Sequence, residues 1–480
     1  MPETLEPATR GLWARRSAAR SWEFRPCHQA GVRERAAAWG SERILIDRSL
    51  SRRVIDPIGP VSVTWTDLVV LALCALAFLV EGYDVQTMAL TIPVLAPLWS
   101  RSPSDFTFAV SALNVGAVIG SALIAPVGDK FSRRDVVGLL LLANGIFVAG
   151  GATAATVPAL VIWRFLAGLC LGAAIVNITV VITVRFPRNR RALFLTIASA
   201  NLSLGGVVGG FAAARITEVM SWRGIFVIGG VAGILVAACL YRSLAHAGGK
   251  PPFMDLKLDR RDLPEGTSAR HLLSGGLLGV TVPLWIIMFL NTAILFDLLG
   301  WLPTMLTSVG WSLAAASRGS AYMQAGGIAG GLLVSWLLDH EWSKPALVTT
   351  FLAMIVVFLL FLVTQPSVRL WSILLVLGGG FCLAAHYALS AVAATIYPVR
   401  MRATGTGWAN AVSRVGSVGG STIGGVLIHW HITAATIIAL LSVPAACCLI
   451  LLAVLSRGQR TCEDLVISVQ GVSPEPKSHA

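Results

Sequence analysis

The stretch DLVVLALCALAFLVEGYDVQTMALTIPVLA, residues 67–96, meets charge only at Glu81 and Asp84 once its first residue is passed. A helix needs about 20 mainly apolar residues to cross the hydrocarbon core of a bilayer. This stretch is long enough to cross with both carboxylates inside. Similar stretches follow at 106–127, 135–155, 158–184, 192–214, 223–243, 281–306, 318–338, 346–364, 370–396, 407–429 and 433–455, separated by short charged or proline-bearing breaks. The chain is 55% hydrophobic and only 13% charged, with a mean hydropathy of +0.76. That is more apolar surface than a soluble domain can hide, so lipid must face much of it. The expected fold class is an all-α membrane protein of twelve transmembrane helices.

The spans divide evenly around the longest internal polar segment, which carries Lys250, Lys257, Arg260, Arg261 and Arg270. The expected organisation is an Arg-rich tail at 1–64, a six-helix bundle at 65–243, a linker at 244–280, a second bundle at 281–456 and a short tail at 457–480. An internal repeat supports the division. The run from Asp129 to Arg134 after the second span has its counterpart from Asp339 to Lys344 after the eighth. Phe186-Pro187 recurs as Tyr397-Pro398, and Gly209-Gly210 as Gly419-Gly420, each about 210 residues on. Two homologous halves related by pseudo-symmetry are the architecture of a rocking carrier with a central site.

Lys and Arg concentrate in the breaks after even-numbered spans: Lys130, Arg133 and Arg134; Arg185, Arg188, Arg190 and Arg191; the linker cluster; Lys344; Arg400 and Arg402. The positive-inside rule then puts both termini in the cytoplasm, in a multi-pass inner-membrane protein. The net charge of +13 is accounted for by topology and the first tail, without nucleic-acid binding. That tail lacks the apolar core and small-residue cleavage site of a signal peptide. Its two readings are a disordered cytosolic segment and translated sequence upstream of a truer start near Asp56. The eight cysteines show no metal-type spacing and read as packing residues. No HExxH, GxSxG or phosphate-binding loop is present, so neither hydrolytic chemistry nor ATP-driven pumping is expected within the chain. The expected energy source is a proton gradient, with no cofactor.

A charge at mid-membrane costs at least about 2.5 to 3.5 kcal/mol, and the residues that bear it usually face a cavity and a partner. Glu81 and Asp84 stand three apart on one helix face, and carboxylates that close disfavour double ionisation. That suits proton coupling, though a place at the water interface, solvated or paired with a neighbouring Arg, would also account for both. Asp297, in an apolar context, is a further coupling candidate or an ion-pair partner. For an anionic substrate, Arg supplies a planar fork that matches a carboxylate. Arg414 lies inside the eleventh span. Arg164 lies near the start of the fourth, where snorkelling to the interface explains it equally well. His386 and Tyr387 could meet a ring-bearing ligand or simply pack. Asn201 and Gln324 could line a cavity or join helices. Gly116 and Gly120, Gly168 and Gly172, Gly326 and Gly330, and Gly416 and Gly420 have the spacing of close helix packing.

The run from Asp129 to Arg134 resembles the signature between the second and third helices of major facilitator superfamily transporters, with Ser132 where that family usually has Gly. Glu81-Gly82-Tyr83-Asp84 is similar to the acidic motif of the aromatic acid:proton symporter family, with Glu81 in place of the first Asp. Trp163 to Ala173, Gly300 to Thr304 and Arg402 to Trp408 also resemble that family's fourth, seventh and eleventh helix regions, and the likeness covers about 65 to 456. Departures are Thr183-Val184-Arg185, where an acidic residue is expected, and His386 to Ser390 in the tenth helix. The resemblance implies the major facilitator fold and a cytosolic latch at Asp129, Arg133 and Arg134, with Asp339 as the counterpart of Asp129; positive-inside anchoring alone would also explain the two arginines, and Arg402 reads as a gate or topology residue. It also implies a monomeric symporter in the lipid bilayer, importing a small organic anion with protons, first of all an aromatic carboxylate such as a hydroxybenzoate. Carriers of non-aromatic organic acids or sugar acids, a proton-coupled efflux antiporter, and a membrane sensor without net transport are the alternatives.

Overall fold

The computed structural model describes residues 63–186, 191–246, 272–273, 277–339, 343–397 and 401–469. Every regular element among the described residues is helical. Helix α1, Trp65–Leu98, opens on a capping box. In it the Thr64 N–H donates to Asp67 Oδ2 at 2.9 Å and the Asp67 N–H donates to Thr64 Oγ1 at 3.4 Å. Helix α2, Thr107–Ile119, is entered through a 3-10 turn at Pro103–Phe106. It runs on through a π turn, Gly120–Ile124, and a 3-10 turn, Ala125–Asp129. Pro126 removes a backbone donor there, which accounts for the loss of regular α pairing. Helices α3 (Arg133–Gly150), α4 (Val157–Arg185), α5 (Arg191–Met220) and α6 (Arg223–His246) complete the first half.

The second half contains α7 (Leu278–Ser308), α8 (Leu313–Asp339), α9 (Ser343–Val363), α10 (Val368–Ile396), α11 (Arg402–His429), α12 (Ala434–Leu440) and α13 (Ser442–Val469). The last two share one membrane span, Ala434–Ser456, broken at Leu441 ahead of Pro444. Eleven spans among the described residues are long and apolar enough to cross a membrane, and α8 is the twelfth helix. Its 27 residues extend about 40 Å at 1.5 Å each, more than the core thickness of about 30 Å. Its Ser317, Ser320 and Gln324 are buried inside the protein. The expected first tail, most of the linker and the end of the second tail lie outside the described residues.

In the first half α1 packs on α5, α2 on α4 and α3 on α6; in the second α7 packs on α11, α8 on α10, and α9 on α12 and α13. The pairing repeats after six helices. Between the halves α5 meets α8, α2 meets α11 and α1 meets α7, contacts that a pseudo-two-fold axis exchanges or keeps. Leu139, Ile162, Leu235, Ile373 and Ile450 are exposed on the helix exteriors, as lipid contact requires.

The glycine spacing proves to be packing within each half. A side-chain carbon at Gly116 would meet the Phe165 carbonyl oxygen on α4, and one at Gly168 would meet the Leu113 carbonyl oxygen on α2. Gly326 and Gly330 meet α10 in the same way, and Gly416 and Gly420 meet α7. These glycines therefore let the helices of each half pack closely on one another. Gly168→Leu is expected to destabilise the first half by about 3 kcal/mol or more. The check is the thermal midpoint of the detergent-solubilised protein against Gly407→Leu, because Gly407 has open space around it.

Candidate functional site

Helix α1 carries two acidic side chains near its middle, Glu81 and Asp84, each 1% exposed. Arg164 of α4 reaches Asp84 twice: Nη1 donates to Oδ1 at 2.5 Å and Nη2 donates to the backbone oxygen at 3.0 Å. Thr87, one turn along α1, donates its hydroxyl to the Asp84 backbone oxygen at 2.6 Å. Arg164 is itself 2% exposed, so it points inward and does not snorkel. Asp84 Oδ2 and Arg164 Nε, both buried, have no hydrogen-bond partner among the described residues. The pair thus keeps a free acceptor and a free donor inside the protein, in a setting where such groups are costly.

Glu81 is more isolated, since neither of its buried carboxylate oxygens has a hydrogen-bond partner among the described residues. Arg414, on α11 of the other half, is close enough to act on it electrostatically. Acid and base here belong to different halves, so their separation changes whenever the halves move. Next to Arg414, Thr292 of α7 and Ser413 share a hydrogen bond of 2.6 Å.

The aromatic pair expected on α10 is half-buried, with the His386 and Tyr387 rings 6.1 Å apart in an edge arrangement. The Tyr387 hydroxyl lies 3.4 Å from Ser203 Oγ on α5, across the seam. Gln324 is 5% exposed and sits against Gly206 of α5, also across the seam. Asn201 is turned to its own helix, donating to the Ile197 carbonyl at 2.8 Å. Asp297 stands apart from the Glu81–Asp84 face, 1% exposed and set against Gly424 of α11.

Of the expected latch, the side chains of Asp129, Asp339 and Arg402 lie outside the described residues. Arg133 donates to Asn177 Oδ1 at 3.3 Å, and Asn177 in turn donates to the carbonyls of Ala125 and Ala173. The Arg134 guanidinium lies 4.0 Å from the centre of the Tyr241 ring. Both arginines thus fasten the start of α3 to neighbours in its own half.

Arg185, counted above among the charges of a cytoplasmic break, lies inside α4. Its Nε donates to Asp67 Oδ1 at 2.7 Å, with the side chains 4% and 1% exposed. Asp67 is the residue that also caps α1. Removing one member of a buried pair leaves an uncompensated charge, so Arg185→Ala is expected to cost about 3 to 5 kcal/mol. A thermal-shift series comparing Arg185→Ala with Asp67→Asn/Arg185→Gln checks this, the double variant being the less damaged.

Residues 74–387, well over half of the chain, match the profile of the Major Facilitator Superfamily. The chain belongs to that superfamily. The gallate transporter of Pseudomonas putida is 28% identical over 402 residues, covering 78% of this chain and 89% of that protein. The 4-hydroxybenzoate transporter PcaK of Acinetobacter baylyi is 27% identical over 401 residues, covering 78% and 87%. The 3-(3-hydroxy-phenyl)propionate transporter of Escherichia coli (strain K12) is 26% identical over 374 residues, covering 75% and 87%. A D-xylose-proton symporter shares the fold, with a TM-score of 0.61 at 18% identity over 86% of this chain and 99% of that one. This superfamily member is a multi-pass membrane transporter and not an enzyme, and its curated relatives carry aromatic acids.

Proposed function

We propose that the protein is a proton-coupled symporter importing a small aromatic carboxylate, with a hydroxybenzoate as first candidate. The observation that carries the reading is the acid–base set near the middle of α1: Asp84 on Arg164 in one half, and beside it the buried, unpartnered Glu81 within electrostatic range of Arg414 of the other. A proton taken up by the Glu81–Asp84 face cancels a negative charge that would otherwise hold Arg414. The released guanidinium then accepts the substrate carboxylate, for which its fork geometry is suited. His386 and Tyr387 offer ring edges and a hydroxyl to the aromatic part. With anion and proton both bound the site carries no added charge, and the halves rock; departure of both on the other side resets the pairs. The substrate names of the curated relatives favour an aromatic acid over other anions.

In this reading the protein is a monomer in the inner membrane, with both termini in the cytoplasm and residues 244–280 as a cytosolic linker between the bundles. Uptake of labelled 4-hydroxybenzoate, benzoate, protocatechuate, gallate and a short-chain dicarboxylate into expressing cells, with and without protonophore, tests it. Protonophore-sensitive accumulation of an aromatic acid is the expected outcome. Accumulation of the dicarboxylate alone would move the substrate class, and protonophore-stimulated retention would mean efflux.

A further inference from the structure

We propose that Asp297 is a proton-operated latch on the seal between the two halves, so that closing this end of the carrier takes up one proton. Both oxygens of Asp297 are buried without a hydrogen-bond partner among the described residues, and the residue is 1% exposed. It faces α11 at Gly424, where a side-chain carbon would overlap its Oδ1. The Trp301 indole covers the same position and is fixed by donating to the Ser421 carbonyl at 2.8 Å.

The seam between halves runs alongside. Gly300, one turn from Asp297, abuts Val110 of α2, and Gly425, next to Gly424, abuts Thr107 of α2. Three hydrogen bonds, Asn114 to Ser421, Ser111 to Thr422 and Ser104 to His429, close α2 and the 3-10 turn before it on α11, toward the end where α2 begins and α11 finishes. A small crevice lined by Asn114, Phe296, Gly300 and Ser421 lies in the same seam.

Among the residues whose side chains are described, the titratable groups on the helices packed against α7 are Asp67, Cys74, Glu81, Tyr83 and Asp84 on α1, Arg318 and Tyr322 on α8, Arg369, Cys382, His386 and Tyr387 on α10, Arg414 and His429 on α11, and Cys447 and Cys448 on α13. None of them donates a hydrogen bond to either Asp297 oxygen. A bare carboxylate in such a place costs several kcal/mol, whereas a carboxylic acid forfeits only hydrogen bonding. The closed seal therefore holds the acid form. Parting α2 from α11 lets water reach the side chain, which can then ionise. Because the closed form carries the extra proton, rising pH favours opening, by up to tenfold in the equilibrium per pH unit.

The latch requires no substrate and stands apart from the symport reading; only the compartment whose pH it senses depends on the proposed orientation. Hydrogen–deuterium exchange of the purified full chain, without substrate, follows it through peptides covering 103–114 and 418–429. Rates are corrected for the intrinsic effect of pH. Protection at this seam is expected to fall as pH rises in the native protein and in Asp297→Glu, and to stay high and flat in Asp297→Asn. Flat protection in the native protein overturns the proposal, as does an Asp297→Asn variant that follows the native pH dependence. A failed uptake panel would sink the aromatic-acid reading and leave these exchange results unaffected.

Discussion

Asp84→Asn is expected to abolish accumulation of substrate and to lower the stability of the folded protein. The substitution keeps shape and size but removes the negative charge that Arg164 contacts at 2.5 Å. A guanidinium 2% exposed is then left unpaired, a loss of about 3 to 5 kcal/mol when one member of a buried pair is removed. At 1.4 kcal/mol per tenfold, that corresponds to two orders of magnitude or more in whichever equilibrium depends on the pair. The double variant Asp84→Asn/Arg164→Gln separates the two consequences. With both charges gone the buried penalty disappears, and the thermal midpoint should recover most of its native value. Transport should not recover, because the proton acceptor is still missing. Thermal shift in detergent and protonophore-sensitive uptake, measured on the same two variants, check both statements. Recovery of uptake in the double variant would reduce the pair to a structural clamp.

The fold was legible because span length and repeat are local quantities. Each apolar run announces a crossing by itself, and the recurrence of Phe186-Pro187 as Tyr397-Pro398 relates the halves without any knowledge of contacts. Helix α8 shows how the repeat adds to hydropathy. Its apolar run is interrupted by Ser317, Ser320 and Gln324, and its place follows from the Asp339 run standing where Asp129 stands after α2. The site was legible only in its residue types. Arg164 and Arg185 look alike in sequence, each near the end of the same apolar span, and reading the second as a loop charge was reasonable. Both are buried, on acids 80 and 118 residues earlier in the chain, and no local pattern encodes a partner at such distance. Ser203 was missed for a related reason: a serine on a small-residue helix has no chemistry that marks it until Tyr387 arrives from the other half. The repeat held a faint signal, because Ser203 occupies the position related to Arg414, about 211 residues on. Charge present in one half and absent from its counterpart is a mark of a site built across pseudo-symmetric bundles.

Glu81→Gln is expected to convert concentrative uptake into facilitated exchange. Glutamine is close in size to the acid form and keeps its place on α1, but it can neither gain nor lose a proton. With the negative charge gone, Arg414 stays available to a carboxylate throughout the cycle. Binding should therefore survive, while the link between proton movement and substrate movement is cut. Counterflow, in which unlabelled substrate inside drives labelled substrate in, should persist within a few-fold of native rate, and accumulation against a gradient should fall to background. Arg414→Ala should behave differently. It removes the charge-assisted bond to the substrate, worth about 1.5 to 3 kcal/mol, so the apparent KM in counterflow should rise roughly 10- to 100-fold. It also leaves Glu81 without the cation on α11 that acts on it electrostatically, and Glu81→Gln/Arg414→Ala should be milder than the sum of the single changes. Counterflow and accumulation assays in proteoliposomes give both quantities for all three variants. Equal loss of counterflow and accumulation in Glu81→Gln would assign that residue to substrate binding and leave proton coupling to Asp84 alone.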